Sequence, residues 1–184
     1  MKLMNIDDEG RQYKEQLYEL YEAAFPEQEK KPMYVMEQLV KDGKMEMNAL
    51  VEEGEFVGLA INLHSGDYVL LDYYAVLPEK RSGGYGSKGL EILLSHFEDQ
   101  KYIFEIEKQD ENADNAQDRK RRKDFYLRNG LKETGLFANV YDTDFEILTP
   151  DGELTFQEYV DFLREVLGEE YVQFLNPTLL SERK

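Results

Sequence analysis

The sequence predicts an α/β fold, with a mixed, mostly antiparallel sheet flanked by helices. Short strand-like runs are joined by tight turns at Glu53-Gly54 and Ser65-Gly66, which makes an antiparallel meander. Elsewhere apolar residues recur at spacings of three and four, the period of one buried helix face. One such helix separates the strand at 69–76 from a strand at 102–107. A helical crossover makes those two strands parallel within the otherwise antiparallel sheet.

Residues 1–6 form a short first strand. Residues 11–25 are helical, with Tyr13, Leu17, Leu20, Tyr21 and Ala24 on one face. Phe25-Pro26 stops that helix, because proline disfavours helical backbone at the residue before it. Pro32 starts a second helix with Met36, Leu39 and Val40 inward, ending near Gly43. The meander follows at 44–52, 55–63 and 69–76. Leu90, Leu93, Leu94 and Phe97 then mark the crossover helix. After the strand at 102–107, residues 108–118 are a polar acidic loop, and 118–129 form a basic helix closed by Gly130. Residues 131–142 and 145–148 read as a closing hairpin. Thr155 and Glu158 frame a capping box. The helix it starts carries Phe156, Tyr159, Val160, Leu163, Val166 and Leu167 on one face.

With 184 residues, of which 41% are apolar, the chain can bury one core, so a single domain over 1–184 is expected. Residues 150–184 extend it as a C-terminal helical addition. The net charge is −17, which repels nucleic acid and anionic membrane and tolerates or attracts cationic partners such as amines; it reads equally as a solubility feature and names no substrate. Cysteine is absent, so disulfides, thiolate metal sites and a cysteine nucleophile are excluded. The two histidines, His64 and His96, lack ligand spacing; no metal site is expected, and both read as surface or boundary residues. No apolar run reaches membrane-spanning length and no signal segment opens the sequence, which predicts a cytoplasmic protein.

The chemistry concentrates in Arg81, Ser82, Gly83, Gly84, Tyr85 and Gly86, between a strand and a helix. Glycines at a helix start let backbone N–H groups close around a phosphate, and the helix dipole adds positive charge there. Gly86-Ser87-Lys88 lacks the residue order of a Walker A loop. Gly84, Gly86 and Gly89 do spell the dinucleotide fingerprint G-x-G-x-x-G. Residues 77–83 intervene before the first of these glycines, whereas the dinucleotide fold turns tightly off its strand. The preceding hairpins also replace repeated βαβ units.

R-x-x-G-x-G fits completely at Arg81, Gly84 and Gly86. The run from Ala75 to Gly86 resembles the signature of the GNAT superfamily of acyl-CoA-dependent N-acyltransferases. Phe125-Tyr126-Leu127-Arg128-Asn129-Gly130-Leu131 resembles a second family segment, and the element order over roughly 1–148 is similar too. The resemblance implies a sheet whose central parallel strands splay apart. It implies that acetyl-CoA is bound with its pantetheine arm along Ala75, Val76 and Leu77 and its pyrophosphate on the amides of Ser82, Gly83, Gly84, Tyr85, Gly86 and Ser87. Arg81 has two readings, a phosphate contact or a loop-stabilising side chain.

The family commonly places at Tyr126 a tyrosine that donates to the CoA sulfur; the other reading is an aromatic packed on the core like Phe125. Asp72 lies on the side of Leu70, Tyr74 and Val76 and is a candidate base, with Glu105 and Glu107 competing from the facing strand; each reads equally as a solvated strand residue. Residues 25–29 fall where the family walls its acceptor site, and Glu29 either meets an amine or belongs to a plain linking turn. Arg119 stands where many members carry asparagine, so CoA contacts in that helix do not carry over. The basic run at 119–123 is read as balancing the acidic loop and lying near the CoA phosphates.

The resemblance implies an N-acetyltransferase that moves acetyl from acetyl-CoA directly to a primary amine, with a homodimer compatible. A non-catalytic acyl-CoA-binding sensor or interaction module on the same fold, and a dinucleotide-binding enzyme, stay open.

Overall fold

The computed structural model describes residues 1–27 and 29–181; Gln28 and residues 182–184, part of the predicted linker and tail, lie outside them. The strands are β1 (Lys2–Asn5), β2 (Met45–Glu52), β3 (Glu55–Ser65), β4 (Tyr68–Val76), β5 (Lys101–Glu107), β6 (Lys132–Val140), β7 (Thr143–Thr149) and β8 (Thr178–Ser181). The helices are α1 (Lys14–Ala24), α2 (Met33–Lys41), α3 (Tyr85–His96), α4 (Ala116–Arg128), α5 (Phe156–Leu167) and α6 (Glu169–Leu175). Hydrogen bonding orders the strands β1-β2-β3-β4-β5-β7-β6-β8, with β4 and β5 parallel and the rest antiparallel. The fold is therefore the mixed, mostly antiparallel α/β class that the sequence predicts.

Two compact units make up the chain, and β4 contributes to both. The first comprises Met1–His64 and Leu71–Glu98. Its meander turns at Glu53 and Gly54, both at positive φ (52° and 86°), the backbone that a two-residue hairpin needs. A bulge between Leu50 and Val51 shifts the β2–β3 register. Leu17 and Tyr21 of α1, Met36 of α2 and Leu90 and Leu93 of α3 are fully buried as predicted, while Ala24, Val40 and Leu94 of those faces are half-buried. Pro32 caps α2 from outside the helix rather than forming its first residue.

The second unit comprises Ser65–Leu70 and the chain from Asp99 on. The Lys101 N–H donates to Asp67 C=O at 2.8 Å where β5 begins beside β4. Gly130 closes α4 at φ 99°, with Leu131 N–H on Tyr126 C=O and Gly130 N–H on Leu127 C=O, a Schellman ending. The β6–β7 hairpin turns on Tyr141 and Asp142, both at positive φ without glycine, and β7 returns beside β5. The capping box at Thr155 forms as predicted.

Two expectations change in this unit. The buried stripe of α5 is Tyr159, Phe162, Leu163 and Val166, so Phe162 is inward while Phe156 and Leu167 are half-buried. The C-terminal addition is not helical throughout, because β8 pairs antiparallel with β6. A four-residue strand is too short for alternation to reveal, and only its partner defines it. Among the described residues, no helix is long and apolar enough to cross a membrane.

Candidate active site

The strand, loop and helix around the glycines form one continuous piece of the first unit. Leu77 N–H donates to Val57 C=O at 3.0 Å and its C=O accepts from Lys80 N–H at 2.9 Å, so both of its backbone groups are engaged. Arg81 Nε donates to Val76 C=O at 3.3 Å, a contact with the end of β4 that is compatible with both readings of Arg81. Its Nη groups have no hydrogen bond among the described residues and remain available to an anion.

Ser82 and Gly84 stand at φ 65° and 79°, and residues 81–84 are exposed. Gly84 is the N-cap of α3 and supplies no side chain; the helix ladder first closes where Lys88 N–H meets Gly84 C=O at 3.1 Å. The first-turn amides ahead of Lys88 are thus uncapped, as an anion site at a helix start requires.

Gly84 and Gly89 are glycine for different reasons. A Cβ on Gly84 would meet nothing, and its positive φ alone selects glycine. A Cβ on Gly89 would lie 2.5 Å from Tyr74 Oη and 2.9 Å from Leu50 Cδ1. Gly89 therefore lets α3 pack closely on the sheet, and Tyr74 Oη donates to Gly86 C=O at 2.6 Å. A turn glycine and a packing glycine are also what the dinucleotide fingerprint needs. The literal G-x-G-x-x-G match thus arises from one turn glycine and one packing glycine, without the tight strand-to-helix turn of the dinucleotide fold.

Asp72, on the same strand, is not an open carboxylate. Lys31 Nζ donates to both of its oxygens at 2.8 Å, and the two side chains are 21% and 12% exposed. The ammonium also lies 5.2 Å over the Tyr73 ring. Hydroxyls fasten the surrounding linker. Lys31 N–H donates to Tyr21 Oη at 2.8 Å and to Tyr73 Oη at 3.1 Å, Tyr21 Oη donates to Lys31 C=O at 3.0 Å, and Tyr73 Oη to Glu29 C=O at 2.7 Å. The rings of Tyr21, Phe25 and Tyr73 meet edge-on or tilted below it. Burial, then the Asp72 charge, pushes the Tyr73 phenol far above its ordinary range. Glu29 thus contributes its backbone here. A cleft of about 370 Å³ beside α1, with Glu19, Phe56, Glu79 and Arg81 among its lining, lies at the far end of β4.

Tyr126 belongs to the second unit. Its ring packs 5.4 Å from Phe104 and 5.3 Å from Phe125, so the core-aromatic reading holds for the ring. Its hydroxyl has no hydrogen bond among the described residues, and burial pushes the phenol up to about 12 against a small opposing pull from Arg122. Glu105 accepts from Tyr159 Oη at 2.5 Å. Glu107 pairs with Arg119 at 2.9 Å and Arg122 at 3.2 Å, tying α4 to β5. The rest of the basic run pairs with Asp118, Asp124, Glu133 and Glu146; among the described residues Asp118 is the one acid of the 108–118 loop that ion-pairs with the run, and Arg119 also donates to Asn115 Oδ1 and Lys108 C=O there.

The histidines meet in space, which their sequence positions did not signal. His64 Nε2 and His96 Nε2 each lie 3.9 Å from an oxygen of Glu46, and both rings meet Phe97, His64 tilted and His96 edge-on. Burial lowers the His64 pKa, only partly offset by Glu46. Among the described residues, no cluster of three or more His, Cys, Asp or Glu could hold a metal ion.

The sequence model of the acetyltransferase (GNAT) family matches residues 14–128. This chain belongs to the GNAT acetyltransferase family. The match spans the glycine loop, Asp72 and Tyr126, and leaves β6 onward outside it. A sequence comparison with curated proteins returns no match. Solved structures share the GNAT fold. A protein from Bacteroides thetaiotaomicron assigned to the family is 21% identical, with TM-score 0.74 over 92% of this chain and 99% of that one. An aminoglycoside 6'-N-acetyltransferase complexed with coenzyme A is 18% identical, with TM-score 0.61 over 81% and 96%. The ribosomal-protein-S18-alanine N-acetyltransferase of Escherichia coli is 18% identical, with TM-score 0.57 over 84% and 95%. The residue that sequence reasoning missed in this GNAT chain is Lys31. Nothing local marks it, since its partner lies 41 positions away.

Proposed function

We propose that this chain transfers an acetyl group from acetyl-CoA directly to a primary amine. The observation that carries the reading is the exposed loop at 81–84 opening onto the uncapped first turn of α3. In this reading the amides of residues 82–87 and Arg81 hold the pyrophosphate. Ala75 and Val76 pair with the pantetheine amides, the Val76 C=O sharing its acceptor with Arg81 Nε, and Leu77, whose N–H and C=O are both engaged, contributes side-chain contact. The coenzyme A bound by the aminoglycoside enzyme of the same fold supports this donor.

Direct transfer needs two proton movements. The incoming ammonium loses a proton before its nitrogen attacks, and the leaving thiolate gains one. Tyr126 is assigned the second task; a phenol raised to about 12 keeps its proton throughout the physiological range. Asp72 is assigned the first. The absence of cysteine agrees with transfer in a ternary complex, without a cysteine-bound intermediate. The acceptors named for proteins of this fold, an aminoglycoside and a ribosomal-protein alanine, are amines, and the net charge of −17 favours cationic ones.

The test follows thiol release from acetyl-CoA across a panel of primary amines, alongside thermal unfolding and hydrogen exchange. Acetyl-CoA should raise the Tm and protect the amides around Gly84. No stabilisation by any acyl-CoA would sink the reading, and stabilisation without transfer to any amine would leave a binding module in its place.

A further inference from the structure

The acceptor half of an acetyl transfer needs a primary amine held against a base, and the chain already supplies both. Lys31 Nζ sits 2.8 Å from each oxygen of Asp72, and its backbone is fixed on both sides by the Tyr21 and Tyr73 hydroxyls, so the amine is anchored rather than swinging. The neighbouring Lys30 makes a contrast. Its ammonium is held by Glu22 and Glu27, carboxylates that belong to α1 and the linker. Only Lys31 reaches β4.

The direction of the donor completes the geometry. An arm whose pyrophosphate lies at 82–87 and whose amides pair with Ala75 and Val76 runs toward the N-terminal end of β4. Its thioester then lies beyond Ala75, on the stretch from Asp72 to Tyr74. We infer that Lys31 occupies the acceptor-amine position of this site and is itself acetylated by bound acetyl-CoA when no external amine displaces it. The inference rests on the donor-site reading above.

The step balances. Asp72 takes a proton from the Lys31 ammonium, and the neutral Nζ attacks the thioester carbonyl carbon. The N–C bond forms and the C–S bond breaks. Of the two protons the nitrogen gives up, one ends on the CoA thiolate and one passes through Asp72 to solvent. The product, acetyl-lysine, carries no charge, so it no longer neutralises Asp72. Self-acetylation thereby frees the carboxylate for the ammonium of an external acceptor.

The experiment incubates the full chain with acetyl-CoA and no added amine, then locates acetyl groups by tandem mass spectrometry while thermal shift reports donor binding. Acetylation should accumulate on Lys31 well ahead of Lys30, speed up with rising pH, and slow when putrescine is added. Asp72→Asn should slow it about a hundredfold, the scale of a lost base, while the thermal shift by acetyl-CoA persists. In Lys31→Arg, which keeps the charge on Asp72, the dominant acetylated peptide should disappear. A thermal shift with Lys31 modified no faster than Lys30 would overturn the inference and leave the donor site standing. No thermal shift at all would overturn both.

Discussion

Residues 82–87 follow β4, and residues 29–31 lie across it, and the two are held in different ways. The loop is exposed, takes its shape from positive φ at Ser82 and Gly84, and opens onto a helix start that no side chain caps. The linker is tied down by side chains, with two phenol hydroxyls on its backbone and the Lys31–Asp72 pair beside them. Backbone can serve any phosphate-bearing donor, so the loop is generic. The linker instead depends on named side chains, Tyr21, Tyr73 and Asp72, to hold its place.

The largest effects should come from the groups assigned to proton transfer. Tyr126→Phe should lower kcat about a hundredfold, roughly 2.7 kcal/mol, with the acetyl-CoA Kd nearly unchanged; steady-state kinetics with a thermal-shift titration separates the two. Because the phenol is raised to about 12, an acid role predicts no alkaline fall in kcat until pH approaches that value. An alkaline fall that persists unchanged in Tyr126→Phe would remove Tyr126 from the role.

Backbone dependence of the loop side is tested next. Gly89→Val puts a Cβ into Tyr74 Oη and Leu50 and should cost about 1–3 kcal/mol of stability in denaturant unfolding. Gly84→Ala meets no atom, so its cost should be the left-handed backbone alone, about 1–2 kcal/mol. Asparagine, which tolerates left-handed backbone, separates the two causes: Gly84→Asn should recover most of the Gly84→Ala loss, and no recovery would mean that the backbone angle is not what selects glycine there.

On the linker side, Tyr73→Phe removes a hydroxyl that donates to Glu29 C=O and accepts from Lys31 N–H, and should cost about 1 kcal/mol. Combined with Tyr21→Phe the losses should not add, because both hydroxyls accept from the same N–H. Strict additivity would separate the two anchors.

The smallest effect lies away from both regions. Glu146 is buried on β7 against Lys123, and burial outweighs that partner and raises its carboxyl. The folded state then holds this proton more tightly than the unfolded one. Its contribution is full at low pH and falls as pH rises through the raised value. Glu146→Gln should flatten that slope in stability measured against pH.

Much of the first region was legible because its demands are local. A helix start after a tight loop needs glycine at its own position, and Arg81, Gly84 and Gly86 stand there. Ser82 was not legible as a left-handed residue, because serine carries no such mark. Tyr126 drew notice through its Phe-Tyr segment, while its raised phenol comes from burial among rings such as Phe104 and Phe125, which no local pattern announces. In α5 the predicted stripe missed Phe162, since neighbouring apolar residues satisfy more than one helix face. β8 escaped because its only signature is pairing with β6.

By itself the sequence determined the order of elements, the glycine loop and the family, since each is written in residues that answer to their own backbone or near neighbours. Tertiary structure alone decided that Lys31 neutralises Asp72, that Glu105 meets Tyr159, and that two histidines share Glu46. Those pairings join side chains far apart along the chain, and sheet register and helix packing, rather than local composition, bring them within reach.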